Sequence, residues 1–188
     1  MILKSNLLRS LYSKLKASYD KSSVQVDLPF GLANEIMSWG RKNVPEDILH
    51  NDGDNTKGRE DDIHFTVFYG INSPDPNSIL SIVKDIKPFV VRLGLITGFL
   101  DKPDYDVLKI DVECPEIYKI HYDIQNSVPN EKTYPTYAPH VTSAYLQKNK
   151  IYQWLGNTMF RGATFVVDTL IFSSLSGEKI PIKLNQEA

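Results

Sequence analysis

The sequence predicts an α+β fold built on antiparallel sheets, and three observations carry that prediction. Short runs of alternating apolar and polar residues recur along the 188 residues, interleaved with amphipathic helical stretches. The order lacks a strict strand–helix–strand rhythm, and no glycine-rich phosphate loop accompanies it. The apolar fraction of 41% is enough to bury a core, which excludes wholesale disorder.

The elements follow in order. In residues 1–23, Lys4, Arg9, Lys14, Lys16 and Lys21 face a single acid, Asp20, while Leu7, Leu8, Leu11 and Leu15 recur at helical spacing. This segment is expected to form a basic amphipathic helix outside a single domain covering 24–188. It packs on that domain or is tethered to it, and a targeting role stays open. Val24, Val26 and Leu28 mark a strand. Leu32, Ala33, Ile36 and Met37 share a helical face that Pro45 ends. A polar loop over residues 51–62 leads into a strand from Ile63 to Gly70, rich in aromatic and β-branched residues. Ile79, Leu80, Ile82, Val83 and Ile86 give a second helix. Strands are expected near Phe89–Ile96 and Val107–Glu113, and Pro115 opens a third helix, where its missing N–H does no harm. Strands near His140–Leu146, Thr164–Phe172 and Lys179–Leu184 complete the chain, with Pro181 pointing to an edge position for the last.

Charge and cysteine content narrow the function. Twenty-one Lys and Arg against 23 Asp and Glu leave a net charge of -2, too little positive charge to grip duplex DNA. A basic first 23 residues leaves the remainder still more acidic. The one cysteine, Cys114, excludes an internal disulfide and a cysteine-based zinc site. No run approaches the ~18 apolar residues of a membrane-spanning helix, and a cytoplasmic monomer is expected.

Two of the four histidines share one pattern. His64-Phe65-Thr66 lies in IHFTVFYG, and His140-Val141-Thr142 lies in PHVTSAYL, 76 positions further on. On a strand, residues i and i+2 project from the same face, so each motif sets an imidazole beside a hydroxyl. Alternation places Phe68 next to Thr66 and Ala144 next to Thr142. If the halves pack as similar lobes, the motifs face each other across a groove. Two imidazoles there suit general acid–base chemistry near neutrality, one taking a proton while the other gives one. The hydroxyls are placed to hydrogen-bond phosphoryl oxygens. This chemistry requires no metal and no other cofactor.

With these two motifs, IHFTV and HVTSAYL, and this order of elements, the chain from about Val24 to Leu184 resembles the 2H phosphoesterase superfamily. The resemblance implies a two-lobed fold of two antiparallel sheets related by a pseudo-two-fold, with a central groove and helices outside. It implies catalytic roles for His64 and His140 and phosphate binding by Thr66 and Thr142. The implied activity is metal-independent cleavage of a cyclic phosphate or phosphodiester in a nucleotide, an oligonucleotide or an RNA end. Alternatives are a phage-type enzyme degrading cyclic oligonucleotide signals, or a non-catalytic nucleotide-binding module of the same fold. Ser143 departs from the family pattern, standing where an apolar residue is common.

Other residues are weighed beside these. Arg59, like Lys57, precedes the first motif and is a candidate substrate contact, as is Phe68. Tyr134 and Tyr137, in the proline-stiffened approach to the second motif, are candidates for stacking a base. The loop 52–58 glances at a calcium loop but puts Lys57 at the glycine position and Ile63 at the terminal glutamate position. His121 shares a helical face with Ile117, Ile120 and Ile124 and is expected at the core edge, while Trp39 and Trp154 are expected in the core. His50 is expected in solvent.

Overall fold

A computed structural model describes residues 21–53, 58–131 and 136–185. Strands β1 (Ser22–Asp27), β2 (His64–Ile71), β3 (Phe89–Phe99), β4 (Tyr105–Glu113), β5 (His140–Gln147), β6 (Thr164–Val167), β7 (Thr169–Ser173) and β8 (Lys179–Lys183) are present. With them are helices α1 (Phe30–Asn43), α2 (Asn77–Val83) and α3 (Pro115–Ser127). Each element expected from residue 24 onward is found, and the class is α+β. Ser22 and Ser23, assigned from sequence to the N-terminal helix, already belong to β1; residues 1–20 lie outside the described residues.

One expected strand is two. The run 164–172 breaks at Asp168: β6 pairs with β3, whereas β7 pairs with β1. Leu184 N–H donates to the Asp168 carbonyl, and Asn185 N–H to that of Ile86, so the crossing is fastened on both sides. Continuous alternation through FVVDTLIF hides the break. As expected for a strand containing proline, β8 lies at an edge.

The expectation of two separate sheets is also corrected. All eight strands form one antiparallel sheet in the order β6-β3-β4-β5-β2-β1-β7-β8. Its middle is thin, because β2 and β5 share the single pair Phe65–Val141. Beyond that pair the two strands part, and their edges must find other partners. Residues preceding the opposite motif supply them. On β5, His50 N–H donates to Tyr145 O, Tyr145 N–H to Gly58 O and Glu60 N–H to Ser143 O. On β2, Glu131 N–H donates to Gly70 O, the Tyr137 hydroxyl to Thr66 O at 3.0 Å, and His121 Nδ1 to Val67 O at 2.7 Å.

The core lies between one face of this sheet and the helices. Phe65, Val67, Val141 and Leu146 are buried there with Ile36 of α1 and with Ile117, Ile120 and Ile124 of α3. Helix α3 packs on β2, and α1 on β5. Gly40 of α1 lies against Ser143, whose Oγ would sit 3.5 Å from a β-carbon at that glycine. The small serine therefore lets the helix approach, which accounts for its place in the motif strand. His121 stacks on Tyr137 at 3.8 Å, and Trp154 is buried, as expected; Trp39 packs against the core from a partly buried position. His50 stacks on Tyr105 at 5.0 Å, against the expectation of a solvated side chain.

Tyr137→Phe removes the donor to the Thr66 carbonyl. It is expected to lower unfolding stability by about 1–2 kcal/mol, read from the urea midpoint at unchanged slope. An unchanged midpoint would show that this bond does not matter to the parted strand.

Candidate active site

The pair Phe65–Val141 sets the geometry of both motifs. The strands run antiparallel through that pair, so His64 lies on the Thr142 side of it and Thr66 on the His140 side. Phe65 and Val141 point into the core, and the four motif residues, each partly exposed, occupy the other face, away from α1 and α3. The structure thus brings together the four residues singled out from sequence.

Both motif strands carry a bulge at the residue after the threonine. Against β1, Thr66 pairs with Gln25 and Phe68 with Val24, leaving Val67 extra. Against β4, Thr142 pairs with Lys109 and Ala144 with Leu108, leaving Ser143 extra. Each bulge shifts the alternation by one residue and turns the next side chain along the strand into the core. Phe68 is consequently 4% exposed and packs on His121 at 5.0 Å. It is not placed to meet a substrate, and Ala144 does not share a face with Thr142.

The histidines are held alike. His64 Nδ1 lies 2.6 Å from the Asp62 carbonyl, and His140 Nδ1 lies 2.8 Å from the Ala138 carbonyl. A carbonyl only accepts, so Nδ1 carries the proton in each ring. The neutral form of each therefore presents Nε2 as an acceptor, turned away from its anchor. Burial holds the His140 pKa below the ordinary imidazole value of 6.5. Its bond to Ala138 and the charge of Asp111 push back, while Lys109 and His64 add to the lowering. The Phe99 ring meets His140 edge-on at 4.7 Å.

Charged residues not singled out from sequence flank the motifs. Beside the first, Asp27 is the β1 partner of His64. Lys179 bonds both carboxylate oxygens of Asp62, at 3.0 and 2.8 Å, and pairs with Asp27 at 3.5 Å. Burial opposes its charge, but Asp62 and Asp27 outweigh that and raise its pKa. Beside the second, Lys109 and Asp111 are the β4 partners of Thr142 and His140. Alternation puts them on a polar strand face, but the sequence carries no mark of which strand is the neighbour. Among the described residues, no cluster of three or more His, Cys, Asp or Glu side chains is placed to hold a metal ion.

No protein-family model matches the sequence, and no curated protein matches it. Solved structures do. TT0787 of Thermus thermophilus superposes with a TM-score of 0.60 at 14% identity, over 86% of this chain and 97% of that one. Usb1 of Kluyveromyces marxianus gives 0.58 at 13% identity, over 89% and 99%. Escherichia coli LigT in complex with 3′-AMP gives 0.56 at 17% identity, over 88% and 94%. This is the fold of the 2H phosphoesterases.

Within the 2H fold the secondary candidates fare differently. Tyr134 and Lys57 lie outside the described residues. Tyr137 is committed to packing: its ring stacks on His121, its hydroxyl bonds Thr66 O, and burial pushes its pKa up. Arg59 is a clamp. Its guanidinium donates to the carbonyls of Gly40 and Val44 at the end of α1 and to the Glu46 carboxylate. Those acceptors occupy its fork, which explains why a base next to the motif does not reach toward it. Cys114 is buried, which pushes its thiol up to about 11 and leaves it a poor nucleophile.

Arg59→Met frees two helix-end carbonyls and is expected to cost about 2 kcal/mol of stability, with KM for any turned-over nucleotide unchanged. A raised KM at unchanged stability would return Arg59 to the substrate.

Proposed function

We propose that this protein is a metal-independent phosphodiesterase that cleaves a cyclic phosphate or phosphodiester bond in a nucleotide, oligonucleotide or RNA end. One observation carries the reading: both motif histidines are anchored through Nδ1, which leaves two Nε2 atoms available on one face beside two threonine hydroxyls. Two proton transfers are what phosphodiester cleavage asks of an enzyme. His140, whose burial favours the neutral ring, takes the proton from the attacking water or ribose hydroxyl. His64 then carries the proton that passes to the leaving oxygen. Thr66 and Thr142 donate to the non-bridging oxygens as charge builds on them. The two arms, each with a motif, a bulge after its threonine and an aspartate opposite its histidine, are read as pseudo-symmetric halves.

The nucleotide character of the substrate is supported by the company the fold keeps. Usb1 of Kluyveromyces marxianus has been solved with uridine monophosphate, and Escherichia coli LigT with 3′-AMP. The chain's net charge of -2 favours a small or terminal substrate over a long polyanion. The test is a panel of 2′,3′-cyclic mononucleotides, 2′-5′ oligoadenylate, cyclic di- and trinucleotides, and RNA with cyclic-phosphate ends.

His64→Ala and His140→Ala are each expected to cut turnover by about 10²–10⁴-fold with the fold retained by circular dichroism. Near-normal turnover in either variant would overturn the mechanism. Turnover is expected to survive EDTA; loss reversed only by added metal refutes that part. The pH profile of kcat/KM should be bell-shaped. A neutral His140 is required and its pKa is lowered, so the acidic limb should fall below 6.5. A limb above that value would show that His140 is not the base.

A further inference from the structure

Lys109 is the most unusual residue near the site, because an interior lysine is rarely tolerated without a partner. Its side chain is only 8% exposed. The ammonium donates to Thr97 Oγ1 at 2.7 Å and to Asp111 Oδ1, and it sits 4.7 Å from the centre of the Phe99 ring. A bulge in β3 between Leu93 and Ile96 helps to bring Thr97 opposite Lys109. An apolar side chain of similar length would fill this space without burying a charge, so packing alone does not account for the lysine.

Its position ties it to one motif. Lys109 is the cross-strand partner of Thr142, and Asp111 that of His140, which puts their β-carbons about 4.5–5.5 Å apart on a shared face. Phe99, under the ammonium, also touches the His140 ring. The first motif has no such cation at the matching place. There Gln25 is the partner of Thr66, and its amide donates to Asp27 at 2.6 Å. The first arm's lysine, Lys179, pairs with Asp27 and Asp62 but is 38% exposed, so the two arms match in histidine, threonine and aspartate and differ in the buried charge beside one threonine.

Resting on the phosphodiesterase reading, we propose that Lys109 is a positioning residue that helps to make the two histidines inequivalent: its ammonium adds to burial in favouring His140 as proton acceptor and leaves His64 as donor. The same charge gives the phosphoryl group bound at Thr142 a positive neighbour. The charged groups acting on His140 are Lys109 and Asp111 from β4 and His64 from β2, and burial acts with Lys109.

The experiment separates this from the activity itself. The histidine rings of the full-length protein are titrated by NMR without substrate, in wild type, Lys109→Met, Lys109→Arg and Asp111→Asn. Removing the like charge should raise the His140 midpoint. Removing the aspartate should lower it, and Lys109→Arg should leave it near wild type. With a turned-over nucleotide, the acidic limb of kcat/KM in Lys109→Met should move up in step, so that activity falls several-fold near pH 6 and much less near pH 8. A His140 midpoint unmoved in Lys109→Met, or moved in the same direction in both Lys109→Met and Asp111→Asn, overturns the proposal. So does a loss of activity equal at all pH values, which is the mark of a purely structural lysine. Should Lys109→Met fail to fold, Asp111→Asn decides: a midpoint that rises or stays put overturns the proposal. If no nucleotide is turned over, the phosphodiesterase reading fails, and the titrations still decide the charge effect.

Discussion

Everything at the site depends on how little β2 and β5 share. A full ladder between them would hydrogen-bond the motif strands along their length and close the centre of the sheet. One pair, Phe65–Val141, fixes the register but leaves the strands free to part. Register is what matters here, since a slip of one residue would turn the histidines and threonines into the core. The parted edges then impose a second demand, that every released carbonyl and amide find a new partner. His121, Tyr137 and the two segments ahead of the motifs meet it.

The bulges after Thr66 and Thr142 do complementary work. Each ends the run of site-facing side chains after one imidazole and one hydroxyl, returning the chain to the core through Val67–Phe68 and Ser143–Ala144. The carbonyl anchors on Nδ1 fix the tautomer without spending a side chain. The carboxylates and lysines near the site pair with one another and act on the rings through charge.

Much of this was legible in the sequence, and the parts that were not have identifiable causes. Alternation located the strands, and the repeated His-x-Thr spacing marked the candidate site, because both are local properties of a strand. The break at Asp168 was invisible because the apolar run continues across it. A bulge is one residue inserted without a change of composition, so Phe68 looked like a neighbour of Thr66. Arg59 looked available because its partners are mostly backbone carbonyls, which no side-chain pattern announces. Lys109 carries no local mark in the sequence, since its place beside Thr142 follows from β4 pairing with β5.

The chain's path gives the edge-sealing segments a wider meaning. Residues 89–167 build β3 through β6 in one continuous stretch, while β1, β2, β7 and β8 come from the two ends. Yet α3, from the inserted stretch, packs on β2, and α1, from the outer part, packs on β5. The loop ahead of the first histidine lines the strand of the second, and the approach to the second lines the strand of the first. The two halves are thus wired crosswise. Damage at His50, Gly58 or Glu60 registers at the backbone behind Thr142, and damage at Glu131 or Tyr137 at the backbone behind Thr66. Each motif strand thus takes part of its edge hydrogen bonding from the segment that leads to the other motif.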